Sequence, residues 1–181
     1  NLRKAWSNGD WDVFAGQYFN EWDRRYPVCE PFAVPPSWKR GLAIDHGRTA
    51  PTSAHWYAID ENGKLWVYRE YYKAGVDADV NAREIRRLCG DEKYWFTVLD
   101  AACFSKTGAG ETIAEIYARN GIAAIPSPKN RMAGWSLVHQ YLRVDDGPKD
   151  AEGGFSPQSK LTFFKNCTEA IRTVPTLIHD E

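Results

Sequence analysis

Two aspartates carry the chemistry that this sequence offers. Asp45 ends an apolar run, Lys39-Arg40-Gly41-Leu42-Ala43-Ile44-Asp45-His46-Gly47, and Asp100 ends a second run of the same design, Tyr94-Trp95-Phe96-Thr97-Val98-Leu99-Asp100-Ala101-Ala102. Each reads as a strand that stops at a carboxylate and then turns. Set side by side, two such strands bring both carboxylates to one edge of a sheet. Hard divalent cations want oxygen ligands, and a pair of them can clamp the attacking and leaving oxygens of a phosphodiester, so this pairing is what metal-assisted hydrolysis needs. A single Asp at a strand end is usually a turn former; the repeat of the pattern raises the functional reading above that one.

Other side chains are weaker candidates. His46 follows Asp45 and could bond a phosphate or a water, although a turn residue beside a ligand is the plainer reading. Lys106 sits in a Gly-bordered loop after Asp100, and Lys129 and Arg131 precede a helix on the same expected edge; mobile cations there suit DNA-backbone contact. Asp145, Asp146 and Asp150 form an acidic cluster that reads first as a solvated loop. Thr107-Gly108-Ala109-Gly110-Glu111-Thr112 lacks the Lys of a phosphate-binding P-loop. No Ser/His/Asp or Cys/His set has the spacing of a nucleophilic triad.

The rest of the chain must hold these groups in place. Its 181 residues, with eight Trp, nine Tyr and eight Phe, suffice for one substantial core. Cys29, Cys89, Cys103 and Cys167 are scattered without a C-x-x-C pair, which argues against a zinc site or a disulfide framework and fits a reducing cytoplasm. No apolar run reaches the roughly 20 residues that span a bilayer, so no membrane partner is expected. The formal net charge of −1 excludes a protein that grips nucleic acid by global phosphate neutralisation, and leaves local patches. The chain opens without Met in a helix-like stretch, which reads as a piece of a longer polypeptide.

In order along the chain, Trp6, Trp11, Phe14, Tyr18, Phe19 and Trp22 suggest a helix after Asp10 that docks on the core, and Pro27, Pro31, Pro35 and Pro36 keep the following stretch extended. Strands are expected over 38–45, 53–59 and 65–72, the last two joined by a hairpin at Asn62-Gly63. A helix capped by Asp77 or Asp79 should run to Leu88, burying Val80, Ile85 and Leu88, and stop at Gly90. The strand 94–100 follows that crossover and is therefore parallel to an earlier one. Then come a helix with Ile113, Ile116 and Tyr117, a strand over 122–125, a helix over 131–143 that is apolar at Met132, Trp135, Val138 and Leu142, and a polar loop or hairpin tip over 145–157. A strand over 160–164 and a helix opened by Asn166 with Glu169 three residues on complete the pattern.

The order β-β-β-α-β-α-β-α with an acidic residue ending the first and fourth strands resembles the ribonuclease H-like fold, an α/β architecture with a central mixed sheet of five or more strands flanked by helices. The two Asp-ended motifs, the Gly108 to Gly110 loop, Lys129-Asn130-Arg131-Met132-Ala133-Gly134 and the stretch from Phe163-Phe164-Lys165-Asn166-Cys167 to Asp180 together resemble the nuclease domain of tailed-bacteriophage large terminase subunits. Gly9-Asp10-Trp11 to Glu21-Trp22 likewise resembles the connector that follows the ATPase motor in that family. The likeness covers nearly the whole chain and lies in the order of the motifs rather than in any one of them.

That resemblance implies a metal-dependent endonuclease cutting concatemeric double-stranded viral DNA, with 1–37 a connector after an upstream ATPase domain and 38–181 the nuclease domain. Asp45 and Asp100 would be catalytic ligands of Mg²⁺ or Mn²⁺ in a two-metal site. The third carboxylate is expected beyond Glu181, with Asp180 a minor candidate. Double-stranded DNA, the ATPase domain, the portal ring and the small terminase subunit are the implied partners. The implied setting is the host bacterial cytoplasm, at the procapsid and not in the virion, and the isolated domain is expected to be monomeric. The alternatives are a Holliday-junction resolvase or transposase-like nuclease, and a non-catalytic DNA- or portal-docking module.

Overall fold

The computed structural model describes residues 16–106, 110–145 and 157–178. Its strands are β1 (Val28–Cys29), β2 (Lys39–Asp45), β3 (Thr52–Ile59), β4 (Leu65–Lys73), β5 (Phe96–Leu99), β6 (Ile125–Pro126), β7 (Val144–Asp145), β8 (Gln158–Ser159) and β9 (Leu161–Phe164). Seven of them form one mixed sheet in the order β1-β9-β4-β3-β2-β5-β6, and β7 and β8 pair separately as a short hairpin stem. Strands β2, β3 and β4 are an antiparallel meander. The turn before β4 is closed by Asp60, whose Oδ1 accepts the N–H groups of Asn62 and Lys64 at 2.9 Å each. Gly63 there has φ 77°, the positive value that makes Asn-Gly a hairpin signal.

Four α-helices lie among the described residues: α1 (Ala78–Cys89), α2 (Ile113–Arg119), α3 (Arg131–Leu142) and α4 (Thr168–Thr173). None is long and apolar enough to cross a membrane. Helix α1 crosses over between β4 and β5, and β5 accordingly runs parallel to β2. It buries Asn81, Ala82, Ile85 and Cys89. Val80, expected inside, is 46% exposed, because it lies one step out of phase with the 81/85/89 stripe. Helix α2 opens with a full capping box, Thr112 Oγ1 accepting from Glu115 N and Glu115 Oε2 from Thr112 N.

Helix α3 docks through buried Leu142 and through Trp135 and His139, whose rings meet Tyr18 at 4.8 and 5.1 Å between centroids, while Met132 is 65% exposed. Two further expectations are corrected. Helix α4 begins at Thr168 rather than being opened by Asn166; its first turn is capped from β4 by Glu70, which accepts from Glu169 N at 2.8 Å and Ala170 N at 2.7 Å. The strand expected over 122–125 shrinks to Ile125–Pro126, since Ile122 is buried just past the end of α2.

The N-terminal segment is turns and an isolated bridge, Gln17 to Ile178, over 16–22 rather than helix. Phe19 and Trp22 enter the core, and β1 adds a parallel edge strand to β9. Trp6, Trp11 and Phe14, like Asp146, Asp150 and Asp180, lie outside the described residues.

Candidate active site

The position of the two aspartates follows from one ladder. Strands β2 and β5 pair in parallel from Gly41–Phe96 to Ile44–Leu99, and Asp100 N then donates to Ile44 O at 3.1 Å. Asp45 and Asp100 are thus the next residues on both strands and leave the sheet at one rim. Alternation puts both on the face of Gly41, Ala43 and Val98, opposite to buried Leu42, Ile44 and Leu99. Two glycines make the geometry possible. A Cβ on Gly41 would lie 2.0 Å from the Phe96 ring, and one on Gly47 would lie 2.4 Å from the Ala50 carbonyl oxygen in the turn that follows Asp45.

Asp100 Oδ1 accepts the N–H of Ala102 at 2.7 Å and so caps a 3₁₀ turn over Ala101–Phe104. Asp45 is exposed. Buried Cys103 lies close enough to sense both: burial pushes its thiol up to about 11, and Asp100 and then Asp45 add to the push. The carboxylates line a shallow cleft of about 250 Å³ with Ser53, His55, Tyr57 and Ser127.

The remaining candidates take up different places. His46 turns away from the cleft: its Nδ1 is 3.2 Å from Tyr117 Oη and 3.3 Å from Thr52 Oγ1, and burial lowers its proton affinity while Asp45 partly restores it. Thr52 Oγ1 accepts from Asn81 Nδ2 at 3.0 Å, and Asn81 Oδ1 accepts from Tyr71 Oη at 2.6 Å, so the ring belongs to a network that holds the turn on α1 and α2. Lys129 and Arg131 are exposed beside Asn130, which caps α3, shortly after Ser127 of the cleft. Lys106 is exposed after the 3₁₀ turn. Asp145 is elsewhere, 4.0 Å from Lys160 in a separate cleft with Asp60 and Trp66.

Reading strand ends alone missed His55. It stands on β3 opposite Ala43, two residues along from Ser53, which faces Asp45. Its Nε2 is 3.0 Å from Glu70 Oε1, and its Nδ1 is 3.4 Å from Ser53 Oγ. Burial pushes the Glu70 carboxyl up, but hydrogen bonds from His55 and from the Glu169 and Ala170 amides together outweigh it and hold the group below the usual range. The signal was available: Ser53, His55 and Tyr57 alternate along a strand whose register to β2 follows from the hairpin order.

Carboxylate oxygens suit Mg²⁺ or Mn²⁺, and two at one rim of a half-open cleft fit such an ion. Among the described residues no group of three His, Cys, Asp or Glu could hold a metal.

No protein-family model matches the chain, and no curated protein matches it. Solved structures do. The nuclease domain of the phage P22 large terminase matches with TM-score 0.69 at 18% identity, over 92% of this chain and 81% of that one. The large terminase of a thermophilic bacteriophage, solved in complex with ATP-gamma-S, matches with TM-score 0.71 at 16% identity over 92% of this chain, which spans only 38% of that protein. The large terminase nuclease of thermophilic phage G20c, crystallised with bound zinc, matches with TM-score 0.58 at 13% identity over 90% of this chain and 88% of that one. The chain therefore has the ribonuclease H-like α/β fold of phage large terminase nuclease domains, built on a mixed sheet of seven strands.

Proposed function

We propose that this chain is the nuclease part of a phage DNA-packaging terminase, an endonuclease that cuts concatemeric double-stranded viral DNA. One observation carries the reading: the β2–β5 register sets Asp45 and Asp100 at the same rim of the sheet. The fold likeness to the P22 and G20c nucleases supports it, and the zinc bound by the G20c protein supports a divalent-metal site.

Asp45 and Asp100 would hold Mg²⁺ or Mn²⁺, whose positive charge would offset the negative charge of the phosphate and lower the pKa of water. Lys106, Lys129 and Arg131 would hold the DNA backbone across the rim, where phosphate contacts fix register without reading sequence. A water oxygen forms a bond to phosphorus as the P–O3′ bond breaks, leaving a 5′-phosphate and a 3′-hydroxyl. An ATPase domain on the same polypeptide, the portal ring and the small terminase subunit are the proposed partners, and the host bacterial cytoplasm is the proposed setting.

Nicking of supercoiled plasmid in Mn²⁺ tests this. The longer polypeptide that carries the ATPase domain should nick, chelation should stop it, and Asp45→Asn or Asp100→Asn should each remove the activity without unfolding the protein. Full activity in both variants would refute the site. Preference for four-way junctions over linear duplex would indicate a resolvase, and DNA binding with no metal-dependent nicking would indicate a docking module.

A further inference from the structure

We propose that His55 is a catalytic base of this site, and that Glu70 is the residue that positions it. The inference rests on the nuclease reading above and adds to the pair of aspartates a proton acceptor that no strand-end motif marks.

The geometry is directional. Glu70, with its side chain only 5% exposed, faces the ring from β4, and its carboxylate also accepts two backbone N–H groups at the start of α4. An ionised carboxylate only accepts, so Nε2 of His55 carries the hydrogen of the 3.0 Å bond. In the neutral ring Nδ1 is then the acceptor, taking the Ser53 hydroxyl in a long 3.4 Å bond that an incoming water can replace, and Ser53 is the residue opposite Asp45. The diagonal from Asp45 to His55 across an antiparallel pair is about 7–8 Å between Cα atoms, which leaves room for a water and a phosphate oxygen between the side chains. A glutamate with three hydrogen-bond donors is more than a strand residue needs to cap a short helix. Its third bond fixes one tautomer and one orientation of a ring that lines the acidic cleft.

In the reaction, the attacking water forms its bond to phosphorus and gives its proton to His55 Nδ1. The P–O3′ bond breaks, and the leaving oxygen takes a proton from solvent. The imidazolium, held against Glu70, returns its proton to solvent. Such a base contributes roughly 100-fold to 10,000-fold in rate.

Two substitutions separate this role from a structural one. His55→Gln places an amide where Nε2 was and keeps the Glu70 bond, but leaves nothing at Nδ1. His55→Asn places a polar atom at Nδ1 and abandons Glu70. A structural role spares the Gln variant and damages the Asn one. A catalytic base damages both, because a carboxamide takes no proton near neutral pH: kcat for plasmid nicking in Mn²⁺ falls about 100-fold or more in His55→Gln, with KM for DNA unchanged although the Glu70 bond is kept, and falls at least as far in His55→Asn.

A second readout needs neither metal nor substrate. Imidazole ¹⁵N spectra of the chain should show His55 as the Nε2–H tautomer, and Glu70→Gln should give a mixture of tautomers. Wild-type kcat in His55→Gln, beside loss of nicking in Asp45→Asn, would overturn the proposal and leave the aspartate site standing. An Nδ1–H tautomer would overturn it without any assay. Nicking that persists in Asp45→Asn would remove the site reading and this inference with it.

Discussion

On β3, Thr52, Ala54, Trp56 and Ala58 are wholly buried, whereas Ser53, His55, Tyr57 and Ile59, one step out of phase with them, are only partly covered. The same alternation on β2 separates buried Leu42 and Ile44 from exposed Asp45. The first face is closed by α1 and α2, through Ile85, Ala82, Cys89 and Tyr117, and several of the polar groups that enter it are bonded to one another, as in the Tyr71–Asn81–Thr52–His46 chain, while the Trp56 indole N–H there has no hydrogen-bond partner among the described residues. The second is covered by α4 only as far as Glu70 and stays open over β2 and β5. The difference teaches that one sheet can devote a face to stability and keep its reverse for chemistry, the strand ends being where the two meet. Each face can then be attacked separately.

The largest effect expected is on the open face. Asp45→Asn and Asp100→Asn should each lower the nicking rate about a thousandfold or more, since several kcal/mol of transition-state stabilisation is lost with the cation. Urea unfolding midpoints should hardly move, because Asp45 is exposed. On the closed face the pattern should invert. Ile85 is completely buried, and Ile85→Ala should cost about 2–5 kcal/mol in urea denaturation while leaving the rate of the folded fraction unchanged. Asn81→Ala is expected next, at about 1–3 kcal/mol, because it strands the Tyr71 hydroxyl and one partner of Thr52 in a dry place. A rate defect in Ile85→Ala as large as that in Asp45→Asn would break the separation of the two faces.

How much of this was legible in the residues depends on the distance over which each feature is decided. The Asn62-Gly63 turn, the stop at Gly90 and the two Asp-ended strands are local, and local pattern located them. That β5 runs parallel to an earlier strand follows from the crossover, while its place beside β2, and with it the shared rim, came from the fold that the element order resembles. The exposure of Val80 and of Met132 was not legible, because apolar periodicity says which residues could be buried and not whether a neighbour arrives to cover them. The cap of α4 was illegible for a similar reason: its acceptor, Glu70, comes from a strand about a hundred residues earlier, and Asn166 before the helix offered a nearer choice. His55 escaped attention through the same long-range contact.

The smallest expected effect lies at Glu70, where the two faces' logic mixes, and it has a sign that pH can read. His55 on β3, Arg172 and Cys167 on the α4 side and the two α4 amides surround this carboxylate, and its folded affinity for protons is depressed. A depressed acid contributes stability above its unfolded value, about 4.3, and that contribution is lost as pH falls through the lower folded value. Glu70→Gln, compared in a His55→Gln background so that no imidazole titrates beside it, should cost about 0.5–1.5 kcal/mol at pH 7, since the Gln oxygen still accepts one of the amide N–H groups. The gap should narrow once the pH drops below the ordinary carboxylate range, as the native Glu70 takes up its proton and comes to resemble the amide. Urea unfolding of the two proteins from pH 7 to pH 3 measures the gap directly. A gap that stays constant, or widens on acidification, would mean that Glu70 is not held as an anion by the start of α4, and the open face would then have no fixed wall behind His55.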